Sequence, residues 1–262
     1  MRIIFPTFTV FGHTVGLYGV CIVVGLAIGI LVSVAYADTC GIGRDDVFYS
    51  MLLGMIGVLI GGKLLYVLIN LPTVWRLRDV IFASAESFAK AMGSGFVFYG
   101  GLIGAAAFVL WYIKKFRIDA SRLLCAAAPS IPLIHSFGRL GCFMAGCCYG
   151  KPYDGALSVV FTRSVGAPNG VKLFPSQLME MAALAIIFLA LVLVRIRVSD
   201  GWRLLSYYAL SYSAVRFLLE FMRGDGERGI YLGLSTSQWI SILLFAAGVI
   251  LLVRRTKTKE AA

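Results

Sequence analysis

The run "VGLYGVCIVVGLAIGILVSVAY" (residues 15–36) contains no charged side chain. A helix crosses the hydrocarbon core of a bilayer with about 20 consecutive apolar residues, so this run is long enough to span a membrane. It follows a short polar start, and it lacks the A-x-A cleavage site with an extramembrane remainder that a signal peptide would show. The run therefore predicts a retained transmembrane helix, and it sets the class of fold to look for in the rest of the chain.

The whole chain shares this apolar character. Its composition is 60% hydrophobic and 14% charged, and its mean hydropathy is +0.88, whereas a soluble domain carries about 25% charged residues. We predict an all-α polytopic membrane protein that forms one domain over residues 1–262, because no repeat, linker or low-complexity segment interrupts it. About seven transmembrane helices are expected, at about 15–36, 47–70, 96–113, 123–144, 176–194, 204–221 and 237–253.

The fourth of these spans is the weakest. Pro129, Pro132, His135 and Arg139 all fall within it. A broken helix at membrane depth is tolerated where it is buried in protein or lines a water-filled cavity. The sequence therefore predicts an interrupted helix at this position, with polar groups close to the interruption.

The distribution of basic residues predicts an orientation. The loops 114–122 and 195–203, the tail after 253 and Arg44 place twelve basic residues on one side, which the positive-inside rule makes the cytoplasmic side. We expect the N-terminus outside, the C-terminus inside, and a small outer cap built from the longer loops. The net charge of +11 suits anionic lipid headgroups and indicates no nucleic-acid partner. The outer side carries nine basic residues: Arg2, Arg76, Arg78, Lys90, Lys151, Arg163, Lys172, Arg223 and Arg228.

Three basic residues fall within spans or at their edges, where an unpaired cation costs at least ~2.5–3.5 kcal/mol. They are Lys63, Arg139 and Arg216. Glu220 lies one helical turn after Arg216, and Arg223 extends this basic end. Arg139 has no acid in its own stretch, so Arg139 and Arg216 together have too few carboxylates to neutralise them. The forked donors of two such arginines suit a phosphate, and we therefore predict a bound phosphate, as in a phospholipid headgroup. The alternative is an internal ion pair at Arg216 and a Lys63 side chain that reaches the membrane interface.

The stretch "HSFGRLGCFMAGCCYG" (135–150) concentrates polar and sulfur groups. The spacing of His135, Cys142, Cys147 and Cys148 matches no structural zinc pattern, so we expect no metal. A disulfide that joins Cys142 to Cys147 or Cys148 stays open, because this loop is expected to face the oxidising side. The other cysteines lie in or near apolar segments and are expected to be ordinary small hydrophobic residues: Cys21, Cys40 and Cys125.

Seven stretches, taken in chain order over nearly the whole chain, resemble motifs of the prolipoprotein diacylglyceryl transferase family. The family versions include G-G-R-L-x-Y, H-G-G-L-I-G, G-R-x-G-N-F-x-N-G-E-x-x-G, H-P-S-Q-L-Y-E and A-R-F-x-x-E-F-x-R. The matching stretches here are "LYGVCIVVG" (17–25), "GGKLLYVLIN" (61–70), "FYGGLIGA" (98–105), "GRLGCFMAGCCYG" (138–150), "FPSQLME" (174–180), "VRFLLEFMRGD" (215–225) and "LSTSQW" (234–239).

The resemblance implies a membrane transferase that moves a diacylglyceryl group from phosphatidylglycerol to the lipobox cysteine thiol of a preprolipoprotein and releases glycerol phosphate. It implies a bacterial inner-membrane location, an active site toward the outer face and no cofactor. Arg139 and Arg216 match the arginines associated with catalysis and phosphate binding, Glu220 matches the following glutamate, and Tyr18 matches the first-helix tyrosine. Further matching positions are expected to contribute to substrate binding: Lys63, Gly100, Gly101, Gly138, Cys142, Gly146, Cys147, Gly150, Ser176, Gln177 and Arg223.

The chain departs from the family pattern at positions that bear on the chemistry. Tyr99 stands where the family has a histidine, Cys142 where it has asparagine, and Cys147 where it has glutamate. A tyrosine hydroxyl is a poor base at neutral pH, so both Tyr99 and His135 are carried as candidate catalytic residues, and a structural role for His135 stays open. Two alternatives follow: a paralogue that keeps the phospholipid donor but uses another acceptor, and a non-catalytic lipid-binding or transport protein.

Overall fold

The computed structural model of the chain is mostly helical and describes residues 2–3, 6–10, 13–93, 95–225 and 229–260. Arg228, one of the basic residues used to predict the orientation, lies outside these described residues. The helices are α1 (Leu17–Tyr36), α2 (Arg44–Ile69), α3 (Leu71–Arg76), α4 (Arg78–Ile81), α5 (Ala85–Gly93), α6 (Phe98–Phe116), α7 (Ala120–Ala127), α8 (Ser130–Ala145), α9 (Ser176–Arg195), α10 (Gly201–Glu220) and α11 (Thr236–Glu260). The strands are β1 (Arg2–Ile3), β2 (Thr7–Val10), β3 (His13–Gly16), β4 (Val159–Phe161), β5 (Lys172–Leu173), β6 (Ile230–Tyr231) and β7 (Leu234–Ser235).

A helix or a bent helix pair lies at each predicted span. Four helices, α1, α2, α9 and α11, are long and apolar enough to cross a membrane on their own. The bent pairs α5–α6 and α7–α8 raise the number of candidate spans to six if each pair crosses once. The helix at the predicted span 204–221 is α10, which has 20 residues. It carries polar groups such as Ser206 and Ser213 beside its charged residues, so it is less apolar than the four helices that qualify alone. The predicted count of seven is therefore not confirmed.

The interruption predicted in the fourth span is confirmed. The axis bends by 44° between α7 and α8, and Pro129 stands immediately before α8. A proline has no backbone N–H and cannot continue the hydrogen bonding of a preceding helix, which accounts for the break. The described contacts divide the chain into two compact units, residues 42–120 and the remainder, which are taken separately below. The single-domain organisation stays a prediction.

In the unit 42–120, glycines bring α2 and α6 into close contact. A Cβ added at Gly57 or Gly61 of α2 would meet the backbone of Gly104, and one added at Gly100 of α6 would meet the carbonyl group of Gly61. Small residues let transmembrane helices approach in this way. The glycines of "YGGLIGA" (99–105) therefore permit the close packing of α6 on α2.

The other unit contains a helical bundle in which α1 packs on α8, α8 on α9, α9 on α10, and α10 on α11. Gly25 and Gly29 of α1 accommodate the side chains of Phe137 and Ile134 of α8. The hydroxyl of Ser33 donates to Ser130 Oγ at 2.8 Å and links the same two helices. This packing holds α8, which carries the polar stretch, against the neighbouring helices.

A small β-structure follows α8. Strand β4 pairs in parallel with β1 and antiparallel with β5. Phe143 at the end of α8 packs with Phe161 and Leu173 in a buried core that also includes Val159 and Ala167. The connection between α8 and α9 is therefore an ordered structure with its own hydrophobic core.

The structure differs from the prediction for Cys40 and Cys125. Cys40, after α1, forms a disulfide with Cys125 of α7, so the expectation of two ordinary small hydrophobic residues was wrong. Their sequence separation of 85 gives no local sign of proximity, and only the packing of the bundle brings them together. Cys21 is a free cysteine, as are the three cysteines of the polar stretch.

Candidate active site

Four charged side chains from three helices form the centre of the candidate site; Glu180, Arg216 and Glu220 are buried, and the Arg139 side chain is 16% exposed. Arg139 Nη2 of α8 lies 3.0 Å from Glu180 Oε1 of α9. Arg216 of α10 places Nη1 4.0 Å from Glu180 Oε2 and Nη2 2.6 Å from Glu220 Oε2. The Glu180 side chain is only 1% exposed. The predicted residues Arg139, Arg216 and Glu220 are thus brought together by a fourth residue that the sequence interpretation missed.

Glu180 overturns the expectation that Arg139 lacks a neutralising acid. No acid occurs in the stretch around Arg139, but α9 packs on α8 and supplies the carboxylate from a distant part of the sequence. A signal was present in the sequence, because Glu180 ends "FPSQLME" (174–180), which resembles the family's H-P-S-Q-L-Y-E. With two guanidinium groups and two carboxylates, the cluster is balanced in charge.

The arginines still offer donors to an anion. Arg139 Nε and Arg216 Nη1 are buried and make no hydrogen bond among the described residues, and neither does Glu180 Oε2, which lies 4.0 Å from Arg216 Nη1. Buried polar groups nearly always have a partner, so two such donors in one cluster indicate a place for oxygen atoms. Guanidinium groups match the geometry of phosphate oxygens. The basis for expecting phosphate is therefore the unpaired donors and not an excess of positive charge.

Hydroxyl groups fix both carboxylates. Tyr212 Oη donates to Glu180 Oε1 at 3.0 Å, and Ser235 Oγ donates to Glu220 Oε1 at 2.8 Å. Arg216 Nη2 also donates to Ser237 Oγ at 3.1 Å. Ser235 and Ser237 belong to "LSTSQW" (234–239), which accounts for the place of that stretch in the site.

His135 lies beside this cluster in a partly aromatic environment. Its Nδ1 is 3.2 Å from Tyr208 Oη, and its ring meets the Tyr212 ring edge to face at 4.8 Å between centroids. These contacts give the histidine a structural role in packing α8 on α10. Its role as a base stays a prediction.

The cysteine-bearing loop is built by the end of α8. Gly146 ends the helix with a left-handed backbone, φ 68°, and the Cys147 N–H donates to the Cys142 carbonyl oxygen at 3.0 Å. As a result, the sulfur atoms of Cys142, Cys147 and Cys148 all lie within 4.8 Å of one another. The loop thus brings the adjacent residues Cys147 and Cys148 to the thiol of Cys142, five residues earlier in the chain.

Ser176 and Gln177 hold this loop in place. Gln177 Nε2 donates to the Cys147 carbonyl oxygen at 2.7 Å, and Ser176 Oγ donates to the Cys148 carbonyl oxygen at 3.0 Å. Both side chains are predicted site residues, and the contacts seen here are to the backbone of the loop.

Arg223 and Gly150 lie next to each other beyond the loop. Gly150 forms a β-bridge with Arg223, and a Cβ on Gly150 would meet the carbonyl oxygen of Phe174. Arg223 Nε and Nη2 donate to the two oxygens of Asp225 at 2.9 and 2.6 Å. Arg223 lies outside the helices, and its charge, like that of Arg139, is neutralised by an acid, in this case Asp225.

Tyr18 of α1 packs against α8 at Gly141. A Cβ on Gly141 would meet the Tyr18 ring, whereas a Cβ on Gly138 would meet nothing within 4 Å. Tyr18 is 44% exposed. Gly141 therefore permits close packing against α1, and Gly138 borders open space next to Arg139.

Four predicted site residues belong to the unit 42–120. Lys63 Nζ donates to the Ala91 carbonyl oxygen at 2.6 Å. Tyr99 is half-exposed, and Gly100 and Gly101 are buried where α6 packs on α2. Their part in a common site with the charged cluster stays a prediction.

Comparison with known proteins decides the family. The sequence profile described as "Prolipoprotein diacylglyceryl transferase" matches residues 6–254 of this chain. The chain belongs to this family. A phosphatidylglycerol–prolipoprotein diacylglyceryl transferase from Clostridium tetani is 34% identical over 92% of this chain and 94% of its own length. A second such protein, from Clostridium perfringens, is 32% identical over 92% and 91%. One from Chlorobaculum tepidum is 32% identical over 97% and 91%.

Proposed function

We propose that this chain is a membrane transferase that moves a diacylglyceryl group from phosphatidylglycerol to a cysteine thiol of a prolipoprotein. The relatives that carry this activity in their names match this chain over more than nine tenths of its length. The observation that carries the proposal is the buried cluster in which Glu180 bridges Arg139 and Arg216.

The chemistry needs this kind of cluster. The acceptor thiol loses its proton to a base, its sulfur attacks the glycerol carbon that bears the phosphate ester, and the bond between that carbon and the phosphate oxygen breaks. Negative charge then accumulates on the departing phosphate oxygen, and fixed guanidinium donors in a water-poor site stabilise that charge. Arg139 Nε and Arg216 Nη1 are two donors of the cluster that make no hydrogen bond among the described residues. Glu180 acts as a positioning residue that holds both arginines in one geometry.

We further propose that the acceptor is a lipobox peptide and that the chain forms a single domain with seven spans. In this arrangement α10 also crosses the membrane and raises the count from six to seven. Its polar face, on which Arg216 and Glu220 lie, is buried and so does not meet lipid. The bias of basic residues supports an outer N-terminus and an active site toward the outer face. Tyr99 and His135 remain the candidate bases.

One observation favours a second candidate, a paralogue with the same lipid donor and another acceptor. Cys142 and Cys147 replace the asparagine and glutamate of the family signature; Cys142 lies in α8, three residues after Arg139, and Cys147 lies in the loop that follows α8. These substitutions leave the arginines of the phosphate site unchanged, so we expect them to change which acceptor is used and not which lipid is the donor.

The experiment that tests the function uses purified protein, phosphatidylglycerol and a lipobox peptide, and it measures the release of glycerol phosphate. Release should require the peptide cysteine and should stop when that cysteine is replaced by serine. Arg139→Ala should lose the activity, whereas Asp154→Asn, which changes an exposed ion pair with Lys172, should retain it. Release without any thiol would support the paralogue, and no release under any condition would overturn the transferase.

A further inference from the structure

The thiols of the polar stretch form a cluster that the proposed transfer chemistry has not used. Cys142, Cys147 and Cys148 are free, half-buried cysteines, and their sulfur atoms lie within 4.8 Å of one another. In a tetrahedral zinc site with zinc–sulfur bonds of about 2.3 Å, sulfur atoms are about 3.8 Å apart. The three thiols therefore need to approach by about 1 Å at most to share one ion.

The backbone is shaped to gather these sulfurs. Adjacent side chains in an extended segment point to opposite sides, which would separate Cys147 from Cys148. Cys148 instead adopts a left-handed backbone with φ 60°, a conformation uncommon for a residue other than glycine. Gln177 and Ser176 hold the carbonyl groups of the two cysteines. The loop is thus fixed from α9 in the conformation that brings its sulfurs together with Cys142.

The cluster adjoins the phosphate-binding arginine. Cys142 and Cys148 both lie close enough to Arg139 to interact with it electrostatically, and Cys148 also lies beside the guanidinium group of Arg223. Tyr18 is near the same three thiols. Positive groups on two sides offset the negative charge of a site made of thiolates.

Although the spacing of these cysteines in the sequence led us to expect no metal, their sulfur atoms lie together in the structure, and we propose that Cys142, Cys147 and Cys148 bind one Zn²⁺ ion and leave its fourth position for the thiol of the acceptor cysteine. This inference rests on the proposed function. Three protein ligands with one open position are the arrangement of catalytic zinc sites, and a thiol that coordinates such an ion is deprotonated. Zinc in this place would activate the acceptor thiol, at a position where the family signature has asparagine and glutamate.

The step balances without an oxidant or reductant. The acceptor thiol gives up its proton to solvent as its sulfur binds the ion, which makes a metal-held thiolate nucleophile. This sulfur forms a bond to the glycerol carbon of the lipid while the carbon–oxygen bond to phosphate breaks. The electron pair of that bond leaves with glycerol phosphate, whose charge faces the arginines.

Metal binding is the first test. The full-length protein in detergent is reduced, stripped of metal with a chelator, and titrated with Zn²⁺ and with Co²⁺. We expect one ion per chain and the near-ultraviolet absorption of cobalt bound to thiolate. Replacing any one of the three cysteines by serine should lower Zn²⁺ affinity by about 100-fold or more, since losing a group that only orients a ligand already costs about 10–100-fold. Cys21→Ser, which changes a free cysteine of α1, is the matched control and should bind normally.

The acceptor provides the second test. Adding a lipobox peptide to the Co²⁺ protein should shift the visible cobalt bands, and the same peptide with serine in place of cysteine should not. No stoichiometric binding, binding that survives the three substitutions, or a cobalt spectrum unchanged by the cysteine peptide would each overturn the proposal. A disulfide between two of the three cysteines in fully active protein, seen as two fewer titratable thiols, would overturn it as well.

Activity separates this inference from the transferase proposal. Glycerol phosphate release that needs Zn²⁺ supports both. Equal release by the stripped and the Zn²⁺-loaded protein overturns the zinc site and leaves the transferase intact. No release in either state overturns the transferase, and the acceptor role of the ion with it.

Discussion

Glu180→Gln removes one charge from the centre of the site and keeps the size of the side chain. At an effective dielectric constant of about 20, a unit charge pair at 3.0 Å attracts by about 5.5 kcal/mol and one at 4.0 Å by about 4 kcal/mol. Repulsion between the two arginines and the loss of their hydration offset part of this attraction. Removing one partner of a buried pair costs about 3–5 kcal/mol in practice, because a buried charge is left uncompensated.

This loss is large enough to measure as a melting temperature. For a chain of this size 1 kcal/mol corresponds to about 2–4 °C, so Glu180→Gln should lower the Tm in detergent by roughly 10 °C. Asp154→Asn is the control, because that exposed ion pair should contribute almost nothing. Saturating phosphatidylglycerol should stabilise the parent protein and the variant alike, each by about 2.7 kcal/mol at a lipid concentration 100 times its own Kd. A variant that melts within 1 °C of the parent protein would refute the bridging role of Glu180.

The remaining predictions concern the phosphate site, the glycine contact and the disulfide. Arg216→Lys keeps the charge but loses the planar donors, so glycerol phosphate release should fall by about 100-fold or more at saturating lipid; unchanged release would exclude a role for the guanidinium geometry. Gly57→Ala places a Cβ against the backbone of Gly104 and should lower the Tm, whereas Gly93→Ala, which meets nothing within 4 Å, should not; equal melting of the two would contradict the close contact. Cys40→Ser should destabilise the oxidised protein by about 2–4 kcal/mol and leave the reduced protein unchanged, as denaturant unfolding with and without a reductant can show.

Features that depend on local sequence were predicted well. The apolar runs predicted helices because length and hydropathy are properties of a single segment, and Pro129 predicted the break before α8 because proline acts on its own backbone. The gathering of Arg139, Arg216 and Glu220 required more than local reasoning. The pairing of Arg216 with Glu220 followed from their four-residue spacing, and the common role of both arginines at a phosphate was supported by the resemblance to family motifs.

Features that depend on which helices pack together were missed. Glu180 lies on a different helix from either arginine, and no spacing rule relates it to them. The same holds for Cys40 and Cys125, whose apolar surroundings suggested ordinary packing. The predicted count of seven spans is not confirmed for a related reason: the polar groups of α10 are buried in the structure, and a hydropathy average over one helix does not register that burial.

The balance of charge around Glu180 has a consequence for turnover. The lipid donor carries one negative charge on its phosphate, and the glycerol phosphate that leaves carries about two at neutral pH. Two uncompensated guanidinium groups would hold this product more tightly than the substrate and would slow every cycle at the release step. With Glu180 and Glu220 already beside the arginines, a dianion meets repulsion as well as attraction once the reaction is over. The carboxylates that hold the arginines in place thus also favour product release.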